Sequence, residues 1–223
     1  MSRTFLEQVQ RGLIVSCQTP NGSPLRGRGL MPAMAEAAEA GGAAAIRAEG
    51  VDDVRNIKRA VGIPVLGLIK MPSEQTPVII TPLLQHVEDL LQAGADMIAV
   101  DATLRRRSDG LTGPEFISRA REFGVPLLAD IDDLPSAVAA EQAGADAIST
   151  TLAGYTGGAV PLHPDIALVA ACAEVCTVPI VAEGRYSVPA EVASAFAAGA
   201  WAVCVGTAIT DPWSLTRRFT AAG

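Results

Sequence analysis

The chain predicts an α/β fold, a single (β/α)8 TIM barrel spanning residues 1–223, and three observations carry that expectation. Four segments repeat one pattern: "AGGAAAIRAEG", "AGADMIAVDAT", "AGADAISTTLAG" and "AGAWAVCVGTA" each set an Ala-Gly after an Ala-rich helical stretch and run into a short β-rich segment. Three others, "IPVLGLIK", "VPLLADID" and "VPIVAEGR", interleave with them and open on a β-branched residue and Pro. With "GLIVSCQ" at the front, the count is eight near-continuous apolar strands alternating with helices, the pattern of parallel strands buried on both faces. Two strand types in alternation are what a closed barrel leaves in sequence, since alternate strands feed alternate core layers. An open Rossmann-like sheet is disfavoured, because no G-x-G-x-x-G follows the first strand.

In chain order, a short helix in "MSRTFLEQVQRG" precedes strand one, "GLIVSCQ". Helical patterns then fill the gaps over Pro32 to Glu39, Val51 to Ala60, Pro82 to Ala93, Pro114 to Phe123, Leu134 to Ala143, Pro164 to Val175, Pro189 to Ala198 and Pro212 to Thr220. The Gly of each Ala-Gly is a helix stop. Pro at the start of the odd strands occupies a position where no ladder N–H is needed. One connection, "MPSEQTPVIITP" after strand three, is longer than usual and is expected to serve as a lid or a subunit contact.

Composition narrows the function. Hydrophobic residues make up 49% and aromatics only 4%, so the core is built from Ala, Val, Ile and Leu. A net charge of −7 argues against general nucleic-acid binding, which needs a basic footprint. Cys17, Cys172, Cys176 and Cys204 have no partner histidines at metal-ligand spacing and read as buried reduced thiols. His86 and His163 lack a nucleophile or ligand spacing, and there is no P-loop, flavin or nicotinamide fingerprint, so neither metal nor cofactor is expected. The N-terminal stretch does not read as a signal peptide, and no apolar run reaches the ~20 residues of a membrane span. The expectation is a cytoplasmic protein with a small-molecule partner and no nucleic-acid or membrane partner, a homodimer being left open.

Active sites of such barrels lie at the C-terminal ends of the strands. Polar residues gather there: Ser16, Cys17 and Gln18; Arg47 and Glu49; Lys70; Asp101, Thr103 and Arg105; Asp130; Thr150 and Thr151; Glu183, Gly184 and Arg185; Gly206 and Thr207. Lys70 and Glu183 are the base and acid that follow wholly apolar strands. Desolvation draws both towards neutrality, which suits proton transfer at a carbon beside a carbonyl. The bland alternative is a Lys70–Glu183 salt bridge without chemistry. Gly184, Gly206 and Thr207, after strands seven and eight, stand where barrels often bind phosphate.

"GLIVSCQ", "AAAIRAEGVDDV", "GLIK", "PVIITP", "AGADMIAVDAT", "TTLAGYT", "VAEGRY" and "GAWAVCVGTAIT" together resemble the N-acetylmannosamine-6-phosphate 2-epimerase family, from Gly12 to about Thr210. The resemblance implies a cofactor-independent barrel that interconverts N-acetylmannosamine 6-phosphate and N-acetylglucosamine 6-phosphate in sialic-acid breakdown. It implies Lys70 as catalytic base and Glu183 as its partner. It implies Gln18, Arg47, Asp130, Tyr155 and Thr156 as substrate contacts, and Gly184, Arg185, Gly206 and Thr207 as the phosphate site. The chain departs from the family at Met71 and Asp211, where arginine is usual, and at Arg106 and Ser108, where proline is common. Asp211 is expected to cap the helix that begins at Pro212, with Arg105 or Arg107 reaching towards the phosphate instead. The alternatives are a Schiff-base lysine enzyme acting on a phosphosugar, a non-catalytic phosphosugar-binding barrel, and an epimerase of an unphosphorylated N-acylamino sugar.

Overall fold

Strands of three to five residues form at each apolar run: β1 Leu13–Cys17, β2 Ala45–Glu49, β3 Val65–Leu68, β4 Met97–Asp101, β5 Leu127–Asp130, β6 Ala147–Ser149, β7 Ile180–Glu183 and β8 Ala202–Val205. In the computed structural model, which describes residues 4–221, they pair in parallel in chain order and β8 closes on β1. The helices are α1 Phe5–Val9, α2 Met31–Ala40, α3 Val51–Ala60, α4 Leu84–Ala93, α5 Gly113–Ala120, α6 Leu134–Gln142, α7 Ile166–Val175, α8 Pro189–Ala197, α9 Thr207–Thr210 and α10 Pro212–Thr220.

The differences from the expected helices have local causes. α7 starts at Ile166 because Asp165 caps it, its side chain accepting from Leu168 N at 2.9 Å. The last turn of the expected Pro114–Phe123 helix tightens to a 3-10 turn over Arg121–Phe123. The single-turn α9 was not expected; Thr210 Oγ1 pins it by donating to Ser16 O at 2.7 Å.

The fourfold repeat has a structural meaning. Gly42, Gly94, Gly144 and Gly199 all have φ between 95° and 100°, a left-handed turn that glycine adopts without strain. Two residues on, the backbone N–H groups of Ala44, Asp96, Asp146 and Trp201 donate to the carbonyls of Leu13, Val65, Leu127 and Ile180, the first residues of the odd strands. Where the repeat carries Asp it closes the ring: Asp96 Oδ2 accepts from Val65 N and Asp146 Oδ2 from Leu127 N, both at 2.8 Å. The prolines before the odd strands still serve the ladder through their carbonyls, Pro64 O accepting from Ile46, Pro126 O from Ile98 and Pro179 O from Ile148.

Side chains two residues apart on a strand share a face. The inward set is therefore Ile14, Ala45, Leu66 and Leu68, Met97 and Ala99, Leu128, Ala147, Val181, Ala202 and Cys204, all buried. Phe5 and Val9 of α1 join this cluster and plug the barrel floor. The outward set packs against the helix ring in a separate, larger cluster. No helix among the described residues is long and apolar enough to cross a membrane.

α5 packs so closely over the end of β4 that a Cβ at Gly113 would lie 2.3 Å from the Ala102 carbonyl carbon. Gly113→Ala should therefore destabilise the fold by about 1–3 kcal/mol or more, as overpacked cores do. Urea unfolding of the variant beside the wild type checks this, and an unchanged midpoint would contradict it.

Candidate active site

Continuing the inward positions past the apolar layers brings up the polar residues. On β2 the series Ala45, Arg47, Glu49 runs from floor to mouth; beyond β3 the next inward residue after Leu68 is Lys70; on β5 it is Asp130, on β7 Glu183 and on β8 Cys204. Above them opens a cavity of about 880 Å3. Gln18, Arg47, Lys70, Tyr155, Glu183, Gly184, Arg185, Gly206 and Thr207 line it, as do Ser16, Glu49, Arg105 and Thr151. Two expected substrate contacts do not. Asp130 is wholly buried beneath the cavity floor, and Thr156 lies in the turn beyond Tyr155, off the lining.

Arg47 organises the floor. Its guanidinium, 1% exposed, forms a two-pronged pair with Asp130: Nη1 to Oδ1 at 3.0 Å and Nη2 to Oδ2 at 2.6 Å. Glu183 Oε2 lies 3.0 Å from the same Nη1 and is ion-paired there without an aligned hydrogen bond. Thr151 Oγ1 donates to Asp130 Oδ1 at 2.7 Å and lies 2.8 Å from Ser149 Oγ. Burial by itself would weaken the Arg47 charge; Asp130 and Glu183 more than reverse this and hold it as a firm cation. For Glu183 burial dominates and raises its carboxyl above the ordinary 4.5. The neighbouring Asp130 charge adds to the rise, while Arg47, Cys204 and Thr151 oppose it. The upward direction is the one expected from the sequence.

Lys70 occupies the opposite wall, since β3 and β7 are four strands apart in a ring of eight. Its expected desolvation is corrected, and the bland alternative is set aside. Its side chain is 37% exposed, because β3 ends at Leu68 and Lys70 stands above the apolar layer. Its partners are Gln18 Oε1 at 2.7 Å and Glu49 Oε2 at 3.6 Å, so the Lys70–Glu183 salt bridge does not form. The long segment after it is a pinned wall. Lys70 bridges Ile80 in antiparallel fashion, Met71 N donates to Ile79 O at 2.9 Å, and Val78 and Ile80 are buried. Thr81, at φ 44°, anchors the return by donating from Oγ1 to Ala99 O at 2.6 Å.

The fourth connection is corrected in part. Arg107 is buried, stacked 3.8 Å over Phe116, and donates to Thr81 O at 3.1 Å and to Asp101 O, so it cannot reach the cavity. Burial lowers it to about 10. Arg105 does line the cavity, tied to Asp101 at 2.8 Å. At the expected phosphate end, the Arg185 side chain is spent on the carbonyls of Ala153 and of His163, the latter at 2.7 Å. Asp211 caps α10 as expected, Oδ1 accepting from Ser214 N at 3.0 Å, while its buried Oδ2 has no hydrogen-bond partner. Sequence reading left Glu49, Ser16 and Thr151 without roles; the period-two register from Ala45, Ile14 and Ala147 is the signal that marks them as inward-facing. Among the described residues no three His, Cys, Asp or Glu side chains gather as a metal-ligand set.

Fold and rim together define a TIM barrel of the enzyme kind, with acid–base side chains at the C-terminal ends of its strands. A family profile described as "Putative N-acetylmannosamine-6-phosphate epimerase" matches residues 31–222. A relative from Caldanaerobacter subterraneus subsp. tengcongensis, named as a putative N-acetylmannosamine-6-phosphate 2-epimerase, is 46% identical over 98% of this chain and 94% of its own. Another of that name, from Edwardsiella ictaluri, is 44% identical over 93% of this chain and 88% of its own. The solved N-acetylmannosamine-6-phosphate 2-epimerase from Clostridium perfringens superposes with a TM-score of 0.95 at 37% identity, covering 100% of this chain and 98% of that one. The chain belongs to the N-acetylmannosamine-6-phosphate epimerase family.

Two predictions follow from the floor. Arg47→Met strands Asp130 and Glu183 side by side without their cation, and should lower stability by about 3–5 kcal/mol in urea unfolding. Glu183 binds its proton more tightly folded than unfolded, so its contribution is full below 4.5 and is lost as pH rises through the folded value. Glu183→Gln removes that loss. Its stability relative to wild type should therefore climb as pH rises above 4.5, and a difference flat with pH would contradict the raised carboxyl.

Proposed function

We propose that this protein interconverts N-acetylmannosamine 6-phosphate and N-acetylglucosamine 6-phosphate by moving a proton at C2, without a cofactor. The proposal includes a cytoplasmic setting in amino-sugar and sialic-acid catabolism. The observation that carries it is the placement of Lys70 and Glu183 on opposite walls of one cavity. Epimerisation removes a proton from one face of a carbon and returns one to the other.

In this reading Lys70, as the free amine, takes the C2 proton of the open-chain sugar: the C2–H bond breaks, Nζ–H forms, and the electron pair moves into the C1 carbonyl to give an enolate, with a C1–C2 double bond and the charge on O1. Glu183 then gives its carboxyl proton to the opposite face of C2. This leaves a carboxylate facing the Arg47 guanidinium and an ammonium at Lys70 beside Glu49 and Gln18. The reverse reaction starts from that pair of charges. General acid–base help of this kind contributes about 10²–10⁴-fold per group. Gln18 and Tyr155 contact the sugar, and Gly184, Gly206, Thr207 and the backbone of Arg185, whose side chain is already engaged, receive the phosphate.

Purified protein incubated with N-acetylmannosamine 6-phosphate in D2O should yield both epimers with deuterium at C2 by NMR. Lys70→Met should abolish exchange with an unchanged circular-dichroism spectrum. Exchange persisting in that variant would remove Lys70 from the chemistry, and no exchange in the wild type would overturn the function. At the phosphate end, Asp211→Asn keeps the helix cap and exchanges the unpartnered carboxylate oxygen for a donor. It should lower KM for the 6-phosphate severalfold with kcat unchanged, the mark of uniform binding; an unchanged or raised KM would contradict this.

A further inference from the structure

Lys70 shares its carboxylate with a second cation. Glu49 Oε2 is 3.6 Å from Lys70 Nζ, while Glu49 Oε1 is 3.5 Å from Arg26 Nη2. The two cations reach Glu49 from parts of the chain with different anchorage. Glu49 ends β2 in register with Leu68, and Gly50 N donates to Leu68 O at 2.8 Å, so the carboxylate is fixed two residues from Lys70 by the strand ladder. Arg26 comes from the connection between β1 and α2, its side chain 48% exposed and steadied by donating to Thr19 O at 2.7 Å.

The remaining neighbours of Lys70 are already committed. Gln18 accepts from Lys70 and its amide is oriented by donating to Ser16 Oγ at 2.8 Å. From β4, Asp101 is held by Arg105 and by Thr103. Across the cavity, Glu183 and Asp130 are held by Arg47. Behind Glu49, in the first turn of α3, lies Asp53, whose carboxyl is raised by burial and then by Glu49 and Asp52, and lowered by Arg26. Glu49 is thus the carboxylate that Lys70 meets directly, and Arg26 is the cation that competes for it.

We propose that Glu49 is a positioning residue that sets the proton affinity of Lys70, and that Arg26 weakens this hold by drawing on the same carboxylate. The opposing pulls suit a lysine that must lose its proton before turnover and carry one during it. Glu49 favours the ammonium; Arg26 keeps that preference from trapping it. This rests on the reading of Lys70 as the base.

The chain has two lysines, Lys58 and Lys70, so the full-length protein labelled with 13C at the lysine ε-carbon gives two resonances, assigned with Lys58→Arg. Lys58 pairs with Asp96 on the outside of the barrel and serves as the internal control. Glu49→Gln should lower the Lys70 titration midpoint by roughly half a unit, the scale of one charge near 4 Å in a solvated setting. Arg26→Gln should raise it by a smaller amount, since Arg26 pairs with the other oxygen of the carboxylate, and Glu49→Asp should restore most of the wild-type value. The acidic limb of the kcat–pH profile for N-acetylmannosamine 6-phosphate should move with each midpoint while KM stays level. Should Glu49→Gln fail to fold, the half-exposed Arg26→Gln carries the same test. A Lys70 midpoint that does not fall in Glu49→Gln, or does not rise in Arg26→Gln, overturns the proposal. Turnover by Lys70→Met would instead overturn the base itself, whatever the midpoints do.

Discussion

One buried guanidinium governs this structure. Arg47 sits inside the barrel at 1% exposure, joined to Asp130 by two hydrogen bonds and to Glu183 by an ion pair. A charge so placed is tolerable only because it is paired and bonded, and its carboxylates are tolerable for the same reason. The link ties β2 to β5 and β7 across the barrel. It also leaves one carboxylate fully satisfied and the other not. Asp130 takes both well-aligned N–H groups and a threonine hydroxyl, whereas Glu183 has the residual contact. The difference between a carboxylate with its hydrogen bonds complete and one without is thus set by the geometry of a single arginine.

The barrel serves this arrangement layer by layer. α1 and the apolar inward residues seal the floor, so polar groups are confined to the level at which the strands end. The fourfold Ala-Gly repeat fixes where each even strand begins, through a backbone bond to the preceding odd strand. Strand starts determine strand ends, and strand ends determine the height of each functional side chain. Lys70 stands above the apolar layer because β3 closes at Leu68; Glu183 is lower because it is itself the last residue of β7. One group meets solvent at the mouth while the other faces the floor.

Much of this was legible in the chain. The repeat and the apolar runs gave eight strands and the expected helices, because those signals are local. The strand-end rule placed Lys70, Glu183, Gln18 and Arg47 at one rim. What was not legible depends on partners distant in sequence. Arg47 and Asp130 are 83 residues apart, and nothing in "VPLLADID" distinguishes an aspartate that touches a sugar from one that holds an arginine beneath it. Arg107 and Arg105 look alike in "LRRRSDG", yet one stacks on Phe116 and the other lines the cavity. Counting strand parity from the apolar residues recovers Glu49 and Thr151 as inward-facing, but their partners appear only when the barrel closes.

Burial beside Asp130 favours the protonated form of the Glu183 carboxyl although Arg47 is at hand. Infrared difference spectroscopy between the wild type and Glu183→Gln isolates that one carboxyl. As pH is raised from below 4.5, a protonated C=O band should persist after ordinary glutamates have ionised and be missing from the variant. A carboxylate already formed at or below 4.5 would contradict it.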